Sequence, residues 1–129
     1  MSNENKPTAA ELEILSVIWE FDAATVREVH EVINARKPTG YTTVLKTLQI
    51  MDEKGLVERD TTNRAHIYRA KIKQKETGKQ MLHDVLQKVF GGSALKLVQQ
   101  VLETETTSAE ELKEIRRMIE RAEKGENNK

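Results

Sequence analysis

The chain has 129 residues, 33% of them charged and 37% hydrophobic, and no cysteine. That length holds one domain, or one small domain with an extension, and the missing thiols exclude disulfides, thiolate metal sites and a cysteine nucleophile. The formal net charge of zero hides a segregation: residues 1–35 carry two basic and seven acidic side chains, and residues 36–75 carry ten basic and four acidic, a pattern that marks a polyanion-facing surface better than the total does.

The opening segment MSNENKPTAAE has neither the basic nor the apolar region of a signal peptide. No apolar run reaches the length of a membrane span, so the expectation is a cytoplasmic protein. Thr8 with Glu11 forms a capping box that opens a first helix, with Leu12, Leu15, Ile18 and Trp19 as its apolar face. Trp19 is expected in the core, where a large ring gains most. Asp22-Ala23-Ala24 breaks the pattern. Thr25 with Glu28 repeats the capping box and starts a second helix that buries Val26, Val29, Val32 and Ile33. Lys37-Pro38-Thr39-Gly40 is the turn, because the residue before proline avoids helical geometry and Gly40 is permissive.

A third helix is expected over about Tyr41 to Lys54, with a stripe at Val44, Leu45, Leu48 and Met51 spaced for one helical face. Gly55 ends it. Val57–Asp60 and His66–Arg69 read as two strands around a turn containing Asn63, a residue that tolerates left-handed geometry. An isolated hairpin is marginal in water, so it must pack on the helices, with Val57 and Ile67 as anchors. Tyr68 is expected in the core. Three helices and a hairpin are the order of a winged helix-turn-helix.

Beyond Lys71 the composition changes. Glu76 to Phe90 is amphipathic, with Met81, Leu82, Val85, Leu86, Val89 and Phe90 apolar. Gly91-Gly92 ends it, and Ser93 caps a short helix bearing Leu95, Leu97, Val98, Val101 and Leu102. Ser108 with Glu111 makes a third capping box before a last helix with Leu112, Ile115, Met118 and Ile119. These faces exceed what one small wing covers, and such faces usually meet a second copy. The expected fold is mainly α, an α+β winged helix-turn-helix over residues 1–73, followed by a three-helix dimerisation region over 74–129. Its interface would use Met81, Leu82, Val85, Leu86, Val89, Leu95, Val98, Leu102, Leu112, Ile115 and Ile119.

If the third helix enters a major groove, Lys46 suits guanine, Gln49 suits adenine, and the threonine methyls of Thr42, Thr43 and Thr47 suit thymine. Thr42 and Thr43 also suit phosphate, or helix capping. Tyr41 suits phosphate through its hydroxyl, or packing at the helix start. Arg64, at the wing tip, reaches a phosphate or the minor groove. Arg59 and Arg69 serve either DNA or cross-strand pairs with Glu58 or Asp60. Catalysis finds no support. His30, His66 and His83 show no metal-ligand spacing, no serine sits in a nucleophile elbow, and no phosphate loop follows Gly91-Gly92. No cofactor or metal is implied.

The run YTTVLKTLQIMDEKGLVERDTTNRAHIYRAK resembles the BlaI/MecI penicillinase-repressor family. TAAELEILSVIWE and TVREVHEVI resemble that family's first two helices, and VFGGSALKLVQQVLE and SAEELKEIRRMIE its dimerisation helices. The resemblance implies a homodimeric repressor on a pseudo-palindromic operator, often beside a membrane sensor with a protease domain. It also implies a cleavage region at Gln100-Val101, where penicillinase repressors are cut between Asn and Phe. That departure argues against induction by cleavage. Gln49-Ile50 stands where many members carry Asn-Arg, so the operator need not match theirs. The reading is a sequence-specific repressor and not an enzyme. The alternative is a winged helix used for protein contact without DNA.

Overall fold

The computed structural model describes residues 6–62 and 64–126, so the expected wing turn at Asn63 and the end of the polar tail lie outside the described residues. The elements run α1 (Ala9–Phe21), β1 (Ala24–Thr25), α2 (Val26–Arg36), α3 (Tyr41–Lys54), β2 (Val57–Asp60), β3 (Ile67–Ala70), α4 (Gln74–Lys88), α5 (Ala94–Thr104) and α6 (Ala109–Glu123). The backbone divides into two compact units, Met1–Gln80 and Met81–Lys129, with the boundary inside α4.

In the first unit both expected capping boxes form. The Thr8 and Thr25 hydroxyls accept from the amides of Glu11 and Glu28, whose carboxylates accept in return from the Thr8 and Thr25 amides. The core joins Leu15 and Ile18 of α1, Val29 and Ile33 of α2, and Val44, Leu48 and Met51 of α3. The α1 face is rotated from expectation: Ile14 and Val17 are buried, whereas Leu12 and Trp19 pack only partly against the core. Trp19 stays half-buried because its indole N–H needs an acceptor, which it finds 3.0 Å away at the Ile72 carbonyl.

Glu11 is the buried charge of this unit, with its side chain 5% exposed. Its Oε1 accepts both the Thr8 amide and, at 2.8 Å, the Lys54 ammonium. The start of α1 is thereby bolted to the last turn of α3. Burial alone would raise the Glu11 carboxyl, but Lys54 and Thr8 outweigh it and hold the pKa below the ordinary value of 4.5. Among the described residues no buried side-chain polar atom lacks a partner.

The sheet has three antiparallel strands in the order β1-β3-β2. Its edge strand β1 was not expected, since two residues carry too little pattern to register as a strand. Ala24 pairs with Tyr68 and Thr25 with Ile67, so Thr25 closes the sheet edge and caps α2 at once. β3 begins at Ile67 and not at His66. Its anchor is the fully buried Tyr68, while Ile67 is half-buried. Successive strand residues face opposite sides, and the Tyr68 side shares its face with buried Ala24 and Val57. On the other face Arg69 pairs with Asp60 at 3.4 Å. The Thr62 amide and hydroxyl also bond Asp60 and, with Arg69, hold its carboxyl below the ordinary value.

Gly55 ends α3 at φ 82°, in the left-handed region that glycine occupies without steric cost. The buried Leu56 then donates back to Met51. Gly40, by contrast, sits at φ −72°, so its expected permissiveness is not used. Asp22 does take a positive φ of 73° where α1 stops.

In the second unit Ser93 and Ser108 cap α5 and α6 by accepting from the amides of Lys96 and Glu111. At Ser108 only this half of the expected box is present. Helix α4 starts at Gln74, two residues before the expected Glu76, and its first seven residues, with the buried Thr77, belong to the first unit. None of the described residues of the second unit is buried.

Candidate nucleic-acid interface

Helix α3 is held from one side. Val44, Leu48 and Met51 are buried, and Leu45 packs partly against the core. At 100° per residue the opposite side carries Thr42, Lys46, Gln49 and the exposed Glu53, with Thr43 and Ile50 on one flank and Thr47 at the border of the buried stripe. The accessibilities agree: Thr42, Thr43, Lys46, Gln49 and Ile50 are exposed and Thr47 is half-buried. The Thr47 hydroxyl donates to the Thr43 carbonyl at 2.8 Å, a local bond that occupies its proton. No side chain caps the start of α3, where Gly40 is the N-cap residue. Its first amides are therefore not occupied by a capping side chain, and they carry the positive end of the helix dipole.

The turn into α3 is fixed from α2. The Asn34 side chain accepts from the Thr39 amide at 2.9 Å, and His30 Nε2 lies 2.7 Å from the Thr39 carbonyl. The His30 ring meets Tyr41 edge-on, with centroids 5.6 Å apart. Tyr41 remains 48% exposed, so it packs at the helix start and still presents surface. Sequence reasoning missed this His30 arrangement, and no local motif announces it.

The start of α2, the start of α3 and the wing enclose an open groove of about 670 Å³. Tyr41 and Arg64, both singled out from sequence, line it together with Arg27, Leu45 and His66. Lys46 and Gln49 do not line it; they stand on the outward face of α3. Arg64 is exposed. Arg27 is engaged by Glu31 at 3.4 Å, one turn along α2, and Arg69 by Asp60. One of the two strand arginines thus takes the cross-strand role.

In the second unit, Met81, Leu82, Val85 and Val89 of α4 and the following segment, Leu95, Val98 and Leu102 of α5, and Leu112 and Ile119 of α6 are exposed in the single chain. Leu86 and Ile115 are half-buried. Gln100 and Val101 lie inside α5, and the Gln100 carbonyl accepts from the Thr104 hydroxyl at 2.8 Å. Among the described residues no cluster of metal-binding side chains occurs, and no helix is long and apolar enough to cross a membrane.

Comparison with known proteins places these features in a family. The family model described as penicillinase repressor matches residues 7–121. The transcriptional regulator BlaI of Mycobacterium tuberculosis is 31% identical over 119 residues, covering 90% of this chain and 84% of its own. The penicillinase repressor of Bacillus licheniformis is 24% identical over 111 residues, 86% of this chain and 87% of its own. The methicillin resistance regulatory protein MecI of Staphylococcus aureus is 23% identical over 112 residues, 87% of this chain and 91% of its own. With a winged helix-turn-helix followed by three helices, and with the family model spanning both units, this chain belongs to the penicillinase repressor family of transcriptional repressors, which are not enzymes.

Proposed function

We propose that the chain is a sequence-specific DNA-binding repressor that acts as a homodimer on a pseudo-palindromic operator. The observation that carries the reading is the outward face of α3, where Thr42, Thr43, Lys46 and Gln49 are exposed on a helix anchored only from behind. Lys46 and Gln49 read base edges. Thr42, Thr43, Tyr41 and Arg64 hold phosphates and set the register. Two such helices need half-sites about one duplex turn, or a small multiple, apart.

The second unit supports the dimer. Among its described residues it has no buried side chain of its own, yet α4, α5 and α6 each expose large aliphatics. A second copy of the same helices would cover them symmetrically. Repression then follows from occupancy, and any event that weakens the dimer weakens DNA binding with it. In this reading a membrane sensor-protease would act through the second unit, and the bond it cut would have to be freed from α5.

Binding to random duplex at rising salt tests the proposal. Affinity should fall steeply, with a log–log slope of roughly −0.9 per phosphate contacted. Absence of binding at low salt would refute the DNA role and leave a winged helix used for protein contact. A monomer in sedimentation at micromolar concentration would refute the dimer.

A further inference from the structure

We propose that Ile50 is a specificity-determining residue that reads the C5-methyl group of a thymine in the major groove, an inference that rests on the DNA-reading role of α3 given above. Ile50 is 45% exposed. It stands one turn after Lys46 on a flank of the outward face, between the exposed Lys46 and Thr43, where its neighbours on the helix surface are polar. It is not among the aliphatics packed on the hydrophobic core, and its exposed part leaves apolar surface to offer a partner. It sits four residues past Lys46, so the two side chains are neighbours on the helix surface, about 5–6 Å apart at their Cβ atoms. A helix that seats Lys46 at a base edge therefore carries Ile50 to a neighbouring base pair in the same groove. In the major groove thymine is the base with an apolar group to offer, its methyl, and an aliphatic side chain is its natural partner. Lys46 and Gln49 read polar atoms; Ile50 adds a contact that excludes water and recognises shape.

Deoxyuridine isolates this contact, because it keeps every donor and acceptor of thymidine and lacks only the methyl. A duplex is first enriched from a random pool by the wild-type protein. Affinity is then measured at fixed salt for that duplex and for versions with each symmetric thymine pair replaced by deoxyuridine. The proteins compared are wild type, Ile50→Val and Ile50→Ala. At one thymine pair the wild type should weaken about fourfold per methyl removed. Ile50→Ala, which keeps only its Cβ, should lose most of that difference between the two duplexes, and Ile50→Val should fall between. All three should share one salt slope and one circular dichroism spectrum, since the side chain is exposed. Indifference of the wild type to every replacement overturns the proposal, as does an Ile50→Ala variant that keeps the wild-type sensitivity. Failure to enrich any duplex, together with no salt-dependent binding, overturns the DNA-reading role of α3 and Ile50's role with it. Enrichment without a methyl response removes Ile50's role alone.

Discussion

Replacing Glu11 with alanine removes two contacts through one oxygen. The first is the charge-assisted bond from Lys54 at 2.8 Å, and such bonds contribute about 1.5–3 kcal/mol. The second is the return half of the α1 capping box, the bond from the Thr8 amide, in a class where capping losses are typically about 1 kcal/mol. The Lys54 side chain is 24% exposed, so water takes up part of its unpaired charge, and the larger penalty of a fully buried orphan does not apply. The expected loss is about 2–4 kcal/mol. At roughly 4 °C per kcal/mol for a chain of this size, the melting point should fall by about 8–16 °C. The assay is thermal and urea unfolding followed by circular dichroism at one protomer concentration, with the exposed Glu13→Ala as control. The pH dependence carries the mechanism. The folded-state pKa of Glu11 lies below its ordinary value of 4.5, so its contribution is full above that value. It is lost as pH falls through the depressed folded pKa, and the gap between wild type and variant should narrow there. A loss below about 0.5 kcal/mol at neutral pH would refute the reasoning. So would strict additivity of Glu11→Ala and Lys54→Ala, because partners in direct contact must couple.

Lys46→Ala should cost about 1–3 kcal/mol on a selected operator, whereas Arg64→Ala should weaken all duplexes alike and lower the salt slope by about 1, both read by anisotropy titration. Asp22→Gly should stabilise by about 0.5–1 kcal/mol, because a positive φ at a non-glycine residue is strained; a lower urea midpoint would contradict this. Gly55→Ala places a Cβ at φ 82° and should destabilise by about 1–2 kcal/mol in the same assay. Val98→Glu, on the exposed face of α5, should shift sedimentation from dimer to monomer, and an unchanged dimer would remove α5 from the interface.

The helices were legible because α1, α2, α5 and α6 announce themselves twice, by an apolar stripe and by a capping side chain; α3 shows its stripe and the glycine that stops it, and α4 only its stripe. Thr8, Thr25, Ser93 and Ser108 all cap where expected, and Gly55 stops α3 as its type predicts. Short strands are harder. β1 holds two residues between two helices, and only its distant partners Ile67 and Tyr68 define it. The same non-locality hid the buried face of β3, since alternation alone does not say which side meets the core. For the candidate interface, the outward residues of α3 follow from its stripe by subtraction. The groove beside Arg64 and the His30 bond to Thr39 depend on tertiary placement and had no local signature. Ile50 was visible only as a departure from the family pattern.

The long-range bonds of the first unit also set an order of events. Trp19 and Ile72 are 53 residues apart along the chain, and β1 reaches across both later helices to β3. Ordering so long a loop is entropically costly before its contacts form, whereas α1, α2 and α3 gain from near neighbours. The helical trio is then the early structure, and docking of the hairpin under β1 and Trp19 is the late step. Weakening that closure, as in Trp19→Phe, should speed unfolding more than it slows folding.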